Sequence, residues 1–205
     1  MQPGNDSVLI VIDVQNDFLP GGALAVANGD EIIAPINVLA RRFSHVVLTQ
    51  DWHPENHISF ASSHPGKQPF DVIELPYGRQ ILWPDHCIQG SEGAQLSVGL
   101  DIPHAEMILR KGFHSDTDSY SAFAEADGAT RTGLAGYLRE RGIRQVFCVG
   151  LATDFCVSWT ALDARAAGFE TLIIEDACRA INTNGSLDEE RRQWREGGIE
   201  VISML

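Results

Sequence analysis

The sequence predicts an α/β fold of three layers, with helices on both faces of a central, mainly parallel β-sheet. Two observations predict it. Short apolar runs rich in Val and Ile recur at 7–14, 45–50, 105–110, 145–150, 170–175 and 199–203. Between most of them lie segments whose apolar residues return at helical spacing. Strands that alternate with helices pair in parallel, and each crossover lays its helix on a face of the sheet. Runs apolar at nearly every position, rather than at every second one, fit strands buried on both faces.

The first run, Val8 to Ile12, ends at Asp13. Segment 30–43 has a helical repeat of apolar positions and leads into the strand at 45–50. The stretch 51–103 is rich in Pro, Gly and His, and a loop-rich insertion of that length in a compact domain is more often functional than idle. The strand at 105–110 is followed by Lys111. Segment 130–141 is again helical, with Gly142 as its C-terminal stop. The run 145–150 closes on Gly150, and Leu151 to Cys156 then lead into an alanine-rich helical segment at 157–167. Thr153 followed by Asp154 is a plausible N-cap for that helix, which puts Cys156 in its first turn. Free backbone N–H groups and the helix dipole there favour a thiolate and lower a cysteine pKa, and the same N–H groups could hold an oxyanion. Segment 186–196 reads as a polar surface helix ending at Gly197. No repeat, low-complexity block or long linker divides the chain, so 1–205 reads as one domain with a loop-rich insertion around 51–103.

Composition excludes several functions. A 205-residue chain with 44% hydrophobic and 21% charged residues has the make-up of a globular protein with one sizeable core. Its 15 basic residues against 28 acidic ones, net -13, argue against nucleic acid, whose phosphates need clustered Lys and Arg. No apolar stretch approaches the roughly 20 residues of a membrane span, and the start lacks a basic region followed by an apolar one. A cytoplasmic protein without membrane contact is expected. Cys87, Cys148, Cys156 and Cys178 form no C-x-x-C pair, so reduced thiols are expected rather than a disulfide framework or zinc knuckle. The oligomeric state is open, a homo-oligomer included.

In an open parallel sheet the active site lies beyond the carboxyl ends of the strands, and Asp13, Lys111 and Cys156 each follow a strand candidate. Taken singly, Asp13 could cap a loop, Lys111 could be a solvated strand end and Cys156 a small buried filler. Together, an acid, a cation and a thiol on one edge are sufficient for thiol-based acyl transfer.

Three segments carry a family resemblance: Asp13-Val14-Gln15-Asn16-Asp17-Phe18, Lys111-Gly112-Phe113 and Gly150-Leu151-Ala152-Thr153-Asp154-Phe155-Cys156. They resemble the isochorismatase-like cysteine hydrolases, and the resemblance covers nearly the whole chain. It implies the three-layer αβα hydrolase fold and an Asp13, Lys111, Cys156 triad. It also implies an oxyanion hole from the N–H groups of Ala152 and Cys156, with the Leu151–Ala152 peptide cis. Asp51-Trp52-His53-Pro54-Glu55-Asn56-His57 and Trp83-Pro84-Asp85-His86-Cys87 make the chain most similar to the nicotinamidases of that superfamily. The implied activity is hydrolysis of nicotinamide, and of pyrazinamide-type analogues, to the acid and ammonia. Another small amide, such as a carbamoyl compound, is the alternative.

The metal site that this likeness implies stands partly on its own physics. Asp51 and His53, two apart in extended chain, point to one side and offer a carboxylate and an imidazole to one ion. His86 is the implied third ligand and His57 a further candidate. Such donors suit Zn²⁺ first, with Mn²⁺ or Fe²⁺ as alternatives. Phe18, Leu24, Trp83 and Tyr120 match positions that line the substrate in relatives, and flat apolar walls suit a pyridine ring. Ordinary core packing is the other reading of Phe18, Leu24 and Tyr120. Gln15 and Asn16 read as turn-forming or supporting residues, His45, His64, His104 and His114 as surface or packing residues, and Cys87 as buried filler.

Overall fold

The structure, a computed structural model, describes residues 3–204. β1 (Ser7–Ile12) is buried at every position because strands pair along both its edges, β2 (His45–Asp51) on one and β6 (Gln145–Leu151) on the other. Beyond β2 lies β5 (Met107–Lys111), and beyond β6 lie β7 (Glu170–Arg179) and β8 (Glu200–Ile202). The order is β5-β2-β1-β6-β7-β8, with every pairing parallel.

The chain thus builds outward from β1 in one direction, returns to its free edge at β6, and builds outward in the other. Right-handed crossovers run in opposite directions place their helices on opposite faces. α1 (Ile33–Ala40) lies in the β1 to β2 crossover and α3 (Ser158–Ala166) in the β6 to β7 crossover. The change of direction between β1 and β6 opens the crevice where such sheets bind ligands. Asp13 follows one of these two strands and Cys156 follows the other. The sheet core is tightly set: Phe43 meets Phe147 edge to face at 5.1 Å, and Val8, Leu9, Ile10 and Ile12 are fully buried.

Several elements differ from their expected bounds. The helix expected at 30–43 opens with a 3₁₀ turn, Gly29–Ile32, and its α-helical part ends at Ala40. The one expected at 130–141 is only α2 (Leu134–Glu140), because Gly133 is left-handed (φ 92°) and Arg131 is bridged to Ala124. β7 runs on to Arg179, since a register shift opposite Cys148 and Gly150 lets Cys178 and Arg179 pair again with Gly150 and Leu151. α4 (Ser186–Gly197) is polar as expected but anchored by Trp194, which is buried and donates to the Ser158 hydroxyl (2.6 Å). The insertion contains an unexpected hairpin, β3 (Val72–Leu75) and β4 (Gly78–Ile81). Isolated bridges His53 to Ile88 and Phe60 to Trp83 fold it back on itself. Among the described residues no helix is long and apolar enough to cross a membrane.

Candidate active site

Strand ends deliver the reactive groups. Asp13 leaves β1 in the left-handed region (φ 49°), which a short polar side chain tolerates when it can bond nearby. Thr49 of β2 supplies those bonds: its hydroxyl donates to Asp13 Oδ1 (2.6 Å) and accepts from the Asp13 N–H (3.1 Å). Lys111, the last residue of β5, reaches Asp13 Oδ2 (2.8 Å), Asp51 Oδ1 (2.6 Å), the Ser119 carbonyl (2.9 Å) and Cys156 Sγ (3.5 Å). Its side chain is 0% exposed, so two carboxylates replace water around the cation. Asp13 Oδ2 carries that ion pair but no aligned hydrogen bond, which leaves a lone pair free to take a proton. One donor atom from each of Asp13, Asp51 and Cys156 lies within 4.8 Å of the others.

The electrostatics correct one expectation. Burial, joined by the Asp13 and Asp51 carboxylates, pushes the Cys156 thiol well above its ordinary range, although Lys111 opposes them. The thiol therefore rests protonated instead of being a helix-stabilised thiolate. Burial also raises Asp13, with Asp51 adding to it and Lys111 pulling against it, which makes Asp13 a stronger base. Burial alone would lower Lys111, but the two carboxylates outweigh it and hold the ammonium well above the usual lysine range.

The turn at Cys156 is not a regular helix start either. Thr153–Val157 form a π-helical turn ahead of α3, flanked by Ala152. Neither Thr153 nor Asp154 caps it. The Asp154 carboxylate instead accepts from the Ile181 and Asn182 N–H groups (3.0 and 2.7 Å) and from the Ser186 hydroxyl, fastening the loop before α4 to the nucleophile turn. The Leu151–Ala152 peptide is cis. The N–H groups of Phe155 and Val157 both donate to the Ala152 carbonyl (3.1 Å each), so neither is an oxyanion donor.

Asp51 closes β2, held by Gln15, whose amide donates to the Asp51 carbonyl and accepts from its N–H (2.8 Å each). His53 Nδ1 lies 2.8 Å from the Gly112 carbonyl and His86 Nδ1 2.8 Å from the Pro84 carbonyl. A carbonyl only accepts, so both rings carry a proton on Nδ1 and present the Nε2 lone pair. Those Nε2 atoms lie 3.5 and 3.8 Å from Asp51 Oδ2. Three electron-rich atoms converging in a buried corner repel one another until a positive charge sits between them. Burial lowers His53, but the Asp51 charge outweighs it and raises its pKa. This donor set fits a divalent cation. Gly112 is needed for it: at φ 67° a side chain would place Cβ 2.5 Å from His53 Cε1.

His57 does not join these three. Its Nε2 faces the Thr117 carbonyl (3.2 Å), and its Nδ1 accepts from the Ser59 N–H (3.3 Å) and lies 2.7 Å from the Ser59 hydroxyl. Both nitrogens are thereby committed. The ring stacks on His53 at 4.2 Å, and burial followed by His53 pushes it down to about 4. A second donor grouping, His53, His57 and Asp118, is weaker for that reason and because Asp118 already accepts from Gln80 and the Ser119 N–H. His45 and His114 lie beside Glu106 and Glu125, and His64 and His104 bond backbone carbonyls.

Between triad and metal donors lies an aromatic slot. Phe18, Leu24, Trp83 and Tyr120 all line it, beside Asp51, His53, His86, Ala152 and Cys156. Trp83 Nε1 donates to the Tyr120 hydroxyl (3.0 Å), which also accepts from Gln80 (3.0 Å). Asp118, Phe155 and Ile181 line the slot as well and were missed from sequence. Phe155 carried a signal, its place next to Cys156, and it meets Trp83 edge to face at 4.9 Å. Asp118 and Ile181 sit in loops without pattern.

The family model described as "Isochorismatase domain" matches residues 7–204. A nicotinamidase from Acinetobacter baylyi is 59% identical over 203 residues, 99% of this chain and 95% of that protein. A solved nicotinamidase/pyrazinamidase of Acinetobacter baumanii is 60% identical, superposes with a TM-score of 0.97, and shares 99% of this chain and 98% of its own. A pyrazinamidase of Pyrococcus horikoshii, solved in complex with zinc, is 36% identical with a TM-score of 0.79 over 97% of this chain and 99% of its own. The chain belongs to the isochorismatase family and, within it, to the nicotinamidases.

Proposed function

We propose that the protein hydrolyses nicotinamide to nicotinate and ammonia through a thioester on Cys156, and that it acts on pyrazinamide in the same way. The observation that carries this is Lys111, which bonds Asp13 and Asp51 and touches Cys156 at the mouth of an aromatic slot. Asp51, His53 and His86 would hold the metal, Zn²⁺ in this reading, and the ion supplies a Lewis-acid partner for the pyridine nitrogen. His57 has no part in it.

With the ring between Phe18, Trp83, Tyr120 and Phe155, the carboxamide carbon faces Cys156. Asp13 Oδ2 takes the thiol proton as sulfur attacks that carbon, so charge never has to rest on a buried thiolate. The N–H groups of Ala152 and Cys156 receive the tetrahedral oxyanion. Asp13 then returns the proton to the amide nitrogen, the C–N bond breaks, and ammonia departs from a thioester. Asp13, again ionised, takes a proton from water attacking the thioester carbon. The second tetrahedral adduct collapses to nicotinic acid, the leaving sulfur regains its proton from Asp13, and the acid gives up its own proton to ammonia or water to leave nicotinate. Lys111 stays protonated throughout and holds Asp13 in reach. In this reading the protein is a single-domain cytoplasmic enzyme that takes a small amide as substrate, with its oligomeric state open.

Ammonia release from nicotinamide by the purified, metal-loaded protein tests the reading. Cys156→Ala abolishes turnover and leaves nicotinamide binding within about tenfold, because ring contacts and metal supply affinity while sulfur supplies chemistry. More than a few percent of residual activity in that variant would remove Cys156 as the nucleophile.

A further inference from the structure

Lys111 belongs to two sites at once. Its Nζ divides between Asp13 Oδ2 (2.8 Å) and Asp51 Oδ1 (2.6 Å). The other oxygen of the same Asp51 carboxylate, Oδ2, is the one that His53 and His86 face. A cation on Oδ2 therefore sits across a single carboxylate from a fixed ammonium. Both carboxylates and the lysine are at most 4% exposed, so water does little to screen them.

We propose that Lys111, beyond its place in the triad, sets the strength of the metal site. Its charge offsets that of Asp51 and weakens cation binding, while Asp13, by sharing the ammonium, limits that weakening. This inference rests on the reading of Asp51, His53 and His86 as ligands. In charge terms Lys111 at +1 is shared between Asp51 and Asp13 at -1 each, beside two imidazoles, so part of the Asp51 charge is offset and a bound dication keeps more of its own charge for a neutral ring nitrogen. A site with an unopposed carboxylate would bind the ion more tightly and leave it a poorer acceptor. The arrangement trades metal affinity for substrate affinity.

The test is Zn²⁺ affinity of metal-stripped, full-length protein, measured by competition with a chromophoric chelator. Activity plays no part in the readout, since the variants below are expected to be nearly inactive. Lys111→Met removes the opposing charge while keeping most of the apolar stem, and is expected to bind Zn²⁺ at least about tenfold more tightly. Asp13→Asn is nearly isosteric, keeps Lys111, and leaves the ammonium to Asp51 alone. It is expected to bind Zn²⁺ several-fold more weakly. Opposite shifts from two variants of one triad are not what general loosening produces, because loosening weakens both. Weaker binding in Lys111→Met would make the lysine an orienting group for Asp51 and overturn the proposal. Equal affinity in all three proteins would overturn it too. If two buried carboxylates without a cation keep Lys111→Met from folding, Lys111→Gln, which keeps a polar head for both without the charge, takes its place with the same expected and contrary results. Failure of the underlying metal reading looks different: the parent protein binds no Zn²⁺, or binds it equally well after His86→Ala.

Discussion

Cys156 poses a proton-transfer problem, because burial and two carboxylates keep its thiol protonated at rest. Asp13→Asn, which cannot take that proton, is expected to lower kcat by about 10²–10⁴-fold, the usual worth of a general base. Steady-state assays check this, and a loss under tenfold would remove Asp13 from the role. Lys111 is the group that opposes the thiol's upward shift. In Lys111→Ala the pH profile of Cys156 alkylation is therefore expected to move to higher pH, and an unmoved profile would mean no electrostatic contact. The three residues were legible in the sequence because each ends or follows a strand, where a parallel sheet concentrates its chemistry. The direction of the thiol pKa was not. It depends first on how deeply the turn is buried and then on charges from distant segments, Asp51 among them, which a local motif does not encode. The place of His57, a candidate ligand by its motif, was not legible for a similar reason, since only the fold shows its nitrogens beside Ser59 and Thr117.

The elements carry their own consequences. Gly112 ends the β5 segment in a left-handed conformation with its carbonyl on His53 Nδ1. Gly112→Ala would drive Cβ into the imidazole, and metal content after dialysis is expected to fall well below one ion per chain while the fold persists. Full metal content in that variant would contradict the cradle. On the far side of the sheet, α4 meets α3 through a buried cluster in which the Ser158 hydroxyl donates to Glu190 and accepts from Trp194. Burial raises the Glu190 carboxyl above its ordinary 4.5, against the pull of Ser158. The native state thus holds that proton more tightly than the unfolded chain. Its contribution to stability is present below about pH 4.5 and is lost as pH rises through the folded pKa. Glu190→Gln is expected to flatten that part of the Tm against pH curve, and parallel curves for the two proteins would refute it. Strand periodicity was readable because β1, β2 and β6 are buried along nearly their whole length. Helix ends were read less well, as at Gly133, where backbone handedness overrides an apolar repeat, and the β3–β4 hairpin hid inside a polar insertion.

The six-stranded sheet and the insertion act as two halves of one device. β1, β5 and β6 present the triad, while β2 and the insertion present the donors Asp51, His53 and His86, and the aromatic slot lies between. Much of this was legible because the motifs are long and ordered along the chain. The part that escaped, Asp118, Phe155 and Ile181, comes from turns whose meaning arises only when distant segments meet. In the proposed reaction the two halves grip a single ring from different sides, carboxamide toward Cys156 and nitrogen toward the metal donors. Benzamide, which lacks only the ring nitrogen, isolates that second contact. Comparing kcat/KM for nicotinamide and benzamide in the metal-loaded protein, and again in His86→Ala, is therefore decisive. A preference for nicotinamide on the order of 10⁴-fold is expected in the loaded protein, since a site built to pair with a polar atom strongly rejects an analogue without it, and a much smaller gap in His86→Ala. Equal kcat/KM for the two amides in the loaded protein would contradict this arrangement.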